Sequence, residues 1–217
     1  MFHKQNCTIG ILSKKELQMV HCNRRNIATC VIVLVLGIYS IAASPTEVPA
    51  QTMARMEKLG EAFATPNENH EFLARLTGEW DTSSSVLGLP NEGGVASFSM
   101  ILGNRFVNGD VRGTFANVPY VGRVTIGYDN YKHKFVASFL NDLGTSMLYA
   151  EGMLDTSGNT LSLWGSMDEW MTDEHDIPAM YRFSILDENH FTFELHDLAK
   201  ITDTVVIATS YSRVESK

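Results

Sequence analysis

A chain of 217 residues, 44% apolar and 19% charged, can bury a core and is too apolar to stay disordered. Its formal charge of −8 is unevenly spread: residues 1–50 hold five of the 17 basic side chains but only two of the 25 acidic ones. The remainder, 12 basic against 23 acidic, repels phosphate backbones and anionic membrane surfaces, which excludes nucleic acid as a partner.

Cys7, Cys22 and Cys30 all precede residue 31, so nothing after it can form a disulfide, a zinc–thiolate site or a cysteine nucleophile. Residues 1–50 read as a leader. Ile27–Ala43 is an apolar run with basic residues on its N-terminal side only, followed by small residues that suit cleavage after Ala43 or after Ala50. This predicts a periplasmic or secreted protein. The alternative is a membrane anchor over residues 27–43, although spanning a bilayer usually takes about 20 apolar residues. Met19 gives a more ordinary start, leaving a short basic segment ahead of the apolar run.

Residues 51–78 are the predicted helical segment. Met53, Met56, Leu59 and Phe63 recur at helical spacing, and Thr65-Pro66-Asn67-Glu68 resembles a capping box with proline in the first turn. Phe72, Leu73 and Leu76 give the second helix its apolar face, and Gly78 ends it. From residue 79 to 217 the pattern has period two. Strands are predicted over 80–87, 95–102, 105–115, 120–128, 134–140, 146–154, 160–167, 179–186, 190–196 and 204–213, separated by turns such as Asn91-Glu92-Gly93-Gly94 and Asp187-Glu188-Asn189. Ten antiparallel strands with short connections predict an all-β protein, an up-and-down barrel preceded by one or two short helices.

Alternate positions of these strands are rich in methionine and aromatics. Phe98, Met100, Phe135, Phe139, Met147, Tyr149, Tyr181, Phe183 and Phe193 are the predicted lining of an interior that suits a small apolar guest. A filled core would use the same residues. The pattern leaves open which strand face points inward.

Several strings resemble one family. His70-Glu71-Phe72-Leu73, Leu76-Thr77-Gly78-Glu79-Trp80, Leu102-Gly103-Asn104-Arg105-Phe106, Gly122 and Gly127-Tyr128-Asp129-Asn130 with Lys132 and Lys134 are similar to the DUF1579 family, and the match continues to Tyr211-Ser212-Arg213. The resemblance implies a bacterial protein with a lipocalin-like barrel and carries no reaction with it. One departure is Phe139-Leu140-Asn141, where that family usually has Trp-x-Asp; the acid here is displaced to Asp142. Gly78-x-Trp80 also resembles the lipocalin signature, which implies that Trp80 closes one end of the barrel beneath a basic side chain, with Arg213 placed to be that partner.

Catalytic motifs are sparse. Arg182, Glu194 and His196 form a candidate polar cluster, for acid–base or oxyanion chemistry or, with His190, a facial metal site. Phe191, Phe193 and Leu195 alternate with these residues, which equally makes the row a solvent face. Asp168, Glu169, Asp173, Glu174 and Asp176 read as an acidic loop at a barrel mouth, with Trp170 and Met171 able to cover an entrance. His175 or His133 would be the axial ligand if haem were bound; no metal or cofactor is otherwise predicted. Ser83-Ser84-Ser85 reads as an exposed strand. The expectation is an exported barrel binding a small apolar or aromatic molecule, with an enzyme acting inside the same barrel as the alternative.

Overall fold

The structure, a computed structural model, describes residues 48–115, 118–169, 171–200 and 204–215. The apolar run, the cysteines, Met19, the cleavage point after Ala43 and Trp170 lie outside the described residues. The cleavage point after Ala50 falls within the first helix. The chain divides into two compact units, residues 1–51 and 52–217. No helix among the described residues is long and apolar enough to cross a membrane.

Helices α1 (Pro49–Ala64) and α2 (Glu68–Arg75) precede ten strands: β1 (Gly78–Val86), β2 (Leu89–Ile101), β3 (Phe106–Phe115), β4 (Val118–Asp129), β5 (Lys134–Asn141), β6 (Leu148–Leu154), β7 (Thr160–Glu169), β8 (Glu174–Ile185), β9 (His190–Asp197) and β10 (Thr204–Arg213). Each strand pairs antiparallel with the next, and β1 pairs with β10, so the sheet closes into a barrel.

Two local expectations are corrected. Asn91-Glu92-Gly93-Gly94 is not a turn but part of β2; the chain reverses at Leu87-Gly88, where both residues have positive φ (49° and 77°), the geometry of a tight two-residue hairpin turn. The capping box also lies further along than Thr65. Asn67 is the N-cap, its side chain accepting from the Asn69 N–H at 3.0 Å, while its own N–H donates to His70 Nδ1 at 3.0 Å. A histidine therefore fills the role usually taken by Glu or Gln.

In α1 the periodic residues do form one helix, but none of its residues is buried, and Met53 is 66% exposed. It is held near its C-terminal end. Asn130 donates to the Phe63 and Thr65 carbonyls at 3.0 and 2.8 Å, and Phe63 meets the Tyr131 ring edge-on at 5.1 Å.

The second helix caps the barrel end formed by the β2–β3, β4–β5, β6–β7 and β8–β9 hairpins, packing on β2, β3 and β4. Leu73 and Leu76 are wholly buried, and Phe72 meets Phe135 edge-on at 5.9 Å. Here the core is solid: Val107, Ile126, Phe135, Leu161 and Phe191 are no more than 1% exposed.

His70 links the cap to pH. Burial in this packing is the main cause that holds its imidazole below the usual histidine pKa of 6.5, with a backbone hydrogen bond at Asn67 opposing it and Arg105 adding to the effect. The unfolded chain thus binds a proton that the folded chain resists, so stability is full above about pH 6.5 and is lost as pH falls toward the lower folded pKa. Carboxylates with lowered pKa (Asp110, Glu151, Asp155, Asp187) act in a separate, more acidic window. Denaturant midpoints are expected to drop between pH 7.5 and 5.5 in the parent, and to drop less in His70→Asn.

Candidate functional site

Residues directly opposite in an antiparallel pair share a sheet face, so register settles which side chains point inward. Phe98, Phe135, Tyr181 and Phe183 belong to the buried core, with Met100, Phe139 and Phe193 partly buried against it. Phe139 stacks on Tyr181 at 4.5 Å, and Phe193 meets Phe183 at 4.9 Å and Phe139 at 6.2 Å. These seven predicted lining residues come together inside.

Met147 and Tyr149 do not. They are 48% and 65% exposed, and both expectations are corrected: the inward row of β6 is Leu148, Ala150, Gly152 and Leu154. Small residues occupy it because β6 and β7 approach closely there. A Cβ on Gly165 would meet the Tyr149 carbonyl oxygen at 2.2 Å. Bulk is therefore carried outside, by Tyr149, Met153 and Trp164.

The polar cluster assembles on the outer wall. Arg182 is opposite Glu194 in register, while Phe183 and Phe193 face inward. Arg182 Nη1 and His196 Nε2 lie 3.5 and 3.1 Å from the same Glu194 oxygen. A role for the three inside the barrel is thus corrected by strand parity. His190 sits in the β8–β9 corner beside Asp187 at 2.8 Å, and no group of three or more potential metal-ligating side chains exists among the described residues. His133 and His175, the two histidines named for haem, are both at the surface. His133 occupies an exposed turn with φ of 55° at the capped end, and the His175 side chain is 68% exposed beside Asp173. Of the acidic segment, Asp168 and Glu169 end β7, Glu174 and Asp176 begin β8, and Asp173 lies in the connection between them.

At the capped end, Arg213 Cζ lies 4.1 Å from the Trp80 ring centroid, and the indole N–H donates to the Leu76 carbonyl at 3.0 Å. Gly78 makes room: its φ is +135°, and a Cβ there would collide with Arg213 Nη1 at 2.2 Å. A surface hollow of about 340 Å³ beside this corner is lined by Arg75, Asp187, Glu188 and Arg213 among others. The two arginines are engaged there, Arg75 by the Gly158 carbonyl and Asn159, and Arg213 by the Thr77 and Glu188 carbonyls.

Toward the other end burial is mixed: Met167, Ile177, Ala179 and Leu195 are no more than 9% exposed. Val111, Phe139, Leu148, Phe193 and Ile207 are only partly buried. Continuous with Phe193 and Ile207 is a hydroxyl wall that strand patterning does not reveal. Thr82 is opposite Tyr211, Ser84 opposite Thr209, and Thr209 opposite Phe193, so these hydroxyls are on the inner face. Ser84, expected to be exposed, accepts from Asn91 Nδ2 at 3.3 Å. Burial pushes the Tyr181 and Tyr211 phenols well above the usual tyrosine pKa, and raises Tyr120 as well, so all three are neutral donors at ordinary pH. The Tyr181 O–H donates to the Ser166 carbonyl at 2.6 Å. Asp197 is buried at the same rim, held by the Ala199 N–H at 2.9 Å and Lys200 at 3.1 Å. It was legible as the next member of the 191–193–195 row.

The family model described as "Protein of unknown function (DUF1579)" matches residues 65–213. No curated protein matches the sequence. Among solved structures the chain is similar to Rv2717c from M. tuberculosis, at 14% identity over 70% of this chain and 100% of that one, with a TM-score of 0.47. It is also similar to the S-type phycobiliprotein lyase CPES from Guillardia theta, at 14% identity over 68% and 93%, with a TM-score of 0.45. A third is a redesigned beta barrel, mFAP1, bound to DFHBI, at 13% identity over 65% and 97%, with a TM-score of 0.35. At these identities and scores they say nothing about a ligand or activity for this chain.

Proposed function

The chain belongs to the DUF1579 family, proteins of unknown function, and from that premise we propose that it is an exported barrel taking up a small apolar or aromatic molecule through its uncapped end. One observation carries the reading: the interior is graded. Beneath α2, Val107, Ile126, Phe135, Leu161 and Phe191 are fully buried, while in the opposite half Val111, Phe139, Leu148, Phe193 and Ile207 keep part of their surface accessible beside the buried Met167, Ile177, Ala179 and Leu195. Partly accessible aromatic and aliphatic side chains at an open barrel end are the kind of lining a small-molecule site uses. The rim supports it. Leu87, Val118, Leu143, Met171 and Leu198, one at each of the five uncapped connections, are exposed, so an apolar guest meets apolar surface on entry. Export rests on the composition of residues 1–50. The enzymatic alternative needs its acid–base groups inside: Arg182, Glu194 and His196 lie on the outer wall, and Asp197, the buried carboxylate of the inward row, is held by the Ala199 N–H and Lys200.

An uncharged hydrophobic dye such as Nile red is expected to bind at one molecule per barrel. Thr209→Trp, which fills the space beside Phe193, should abolish uptake while leaving the thermal midpoint within about 4 °C of the parent. Dye uptake unchanged by that substitution, or no uptake by the parent, overturns the proposal.

A further inference from the structure

The surface hollow of about 340 Å³ at the capped corner lies between the end of α2, the start of β1, the β8–β9 turn and the end of β10. Ala74 and the buried Ile185 give it apolar surface, and Arg75, Arg213, Asp187 and Glu188 give it charge. Arg75 donates to the Gly158 carbonyl at 3.0 Å and the Asn159 side-chain oxygen at 2.8 Å, and Arg213 to the Thr77 and Glu188 carbonyls at 2.8 and 2.9 Å. A guanidinium carries five N–H donors, so each retains some after these bonds. All four acceptors are uncharged, and neither arginine has a carboxylate within ion-pairing distance among the described residues. The two acids differ. Asp187 points its carboxylate into its own turn, at the Asn189 N–H (2.8 Å) and His190 Nδ1 (2.8 Å). The Glu188 carboxylate makes no hydrogen bond or ion pair among the described residues.

The hollow thus presents two cations, already fixed in position by backbone and amide oxygens, and one carboxylate with no partner. Fixing them before a guest arrives removes part of the ordering cost of binding it. An anion alone would meet Glu188 and the excess acidic charge of the domain, and a cation alone would meet two arginines. A guest carrying both charges finds a partner for each, and a short aliphatic body can lie on Ala74 and Ile185. The volume is at the lower end of the roughly 300–1,000 Å³ usual for ligand sites, which suits a guest of amino-acid size. We infer that this hollow is a second binding site, apart from the open end of the barrel, for a small zwitterion such as a free aliphatic amino acid, its carboxylate taken by Arg75 and Arg213 and its ammonium by Glu188.

The test titrates the protein at neutral pH with L-leucine, with N-acetyl-L-leucine (the anion alone) and with L-leucinamide (the cation alone). Binding is read from the Trp80 indole N–H signal in heteronuclear NMR, because that indole lies against Arg213. The parent is expected to bind leucine about tenfold more tightly than either single-charge analogue. Arg75→Gln should weaken leucine about tenfold. Glu188→Gln should erase the preference for leucine over the acetylated form, since only the ammonium contact is lost; a Glu188 with a purely structural role would weaken both alike. Both side chains are at the surface, so thermal midpoints within about 4 °C of the parent are expected. Should Arg75→Gln fold poorly, Glu188→Gln and the three compounds on the parent decide alone. Equal binding of the three compounds, a Trp80 signal that leucine does not move, or a Glu188→Gln variant that keeps the parent's preference overturns the inference.

Discussion

Trp80→Ala is expected to destabilise the barrel by about 3–5 kcal/mol, the range for truncating a fully buried aromatic. Trp80 is 2% exposed and contacts the fold on three sides: Phe191 edge-on at 4.7 Å, the Arg213 guanidinium at 4.1 Å, and the Leu76 carbonyl through its indole N–H. The loss has three parts. A large cavity opens in a corner that cannot collapse, because Leu73 and Leu76 above it are fixed by α2. The Leu76 carbonyl loses its buried partner. Arg213 loses a cation–π contact of roughly 0.5–2 kcal/mol but keeps its bonds to Thr77 and Glu188. Urea denaturation measures the total. A variant as stable as the parent would show that this corner does not hold the barrel shut.

The second large effect comes from adding one methyl group. In Gly152→Ala the new Cβ would lie 1.8 Å from the Ser162 carbonyl oxygen and 2.8 Å from Leu163 Cα. Both are backbone atoms of β7, fixed by pairing on two sides, so no rotamer change relieves the clash and the strands must part. A cost of about 3 kcal/mol is expected, at the upper end of ordinary overpacking. Gly60→Ala is the contrasting control. Nothing lies within 4 Å of a Cβ at that helical position, and the change should add about 0.5–1 kcal/mol of helix stability. Equal thermal midpoints for the two variants would contradict the close approach of β6 and β7.

What could be read from the chain followed from how each signal arises. Period two gave ten strands because a barrel wall separates an inner from an outer environment at every residue, and β10 falls on the expected 204–213. The Trp80–Arg213 pair was legible because it travels with a short local string. Parity in β6 was not. Counting apolar side chains favours Met147, Tyr149 and Met153, whereas the inner face there holds Ala150 and Gly152 because backbone proximity leaves no space for more. The Asn91–Gly94 stretch looked like a turn for a related reason: glycine marks close backbone approach as readily as chain reversal, and a Cβ on Gly94 would meet the Arg112 carbonyl oxygen at 2.2 Å. The hydroxyl wall was hidden because Thr82, Ser84 and Thr209 carry no hydropathy signal. Only the register across β1 and β10, more than a hundred residues apart, sets them opposite an aromatic row.

That same register governs how the protein can be made. Trp80–Val86 pairs with residues 207–213, so the first strand to leave the ribosome waits for the last. Throughout synthesis the nascent sheet can coil but cannot seal, and both of its outermost strands keep unpaired backbone groups that a neighbouring chain could capture. Closure therefore waits for residues 207–213, and losing them would leave a curled sheet rather than a smaller ring.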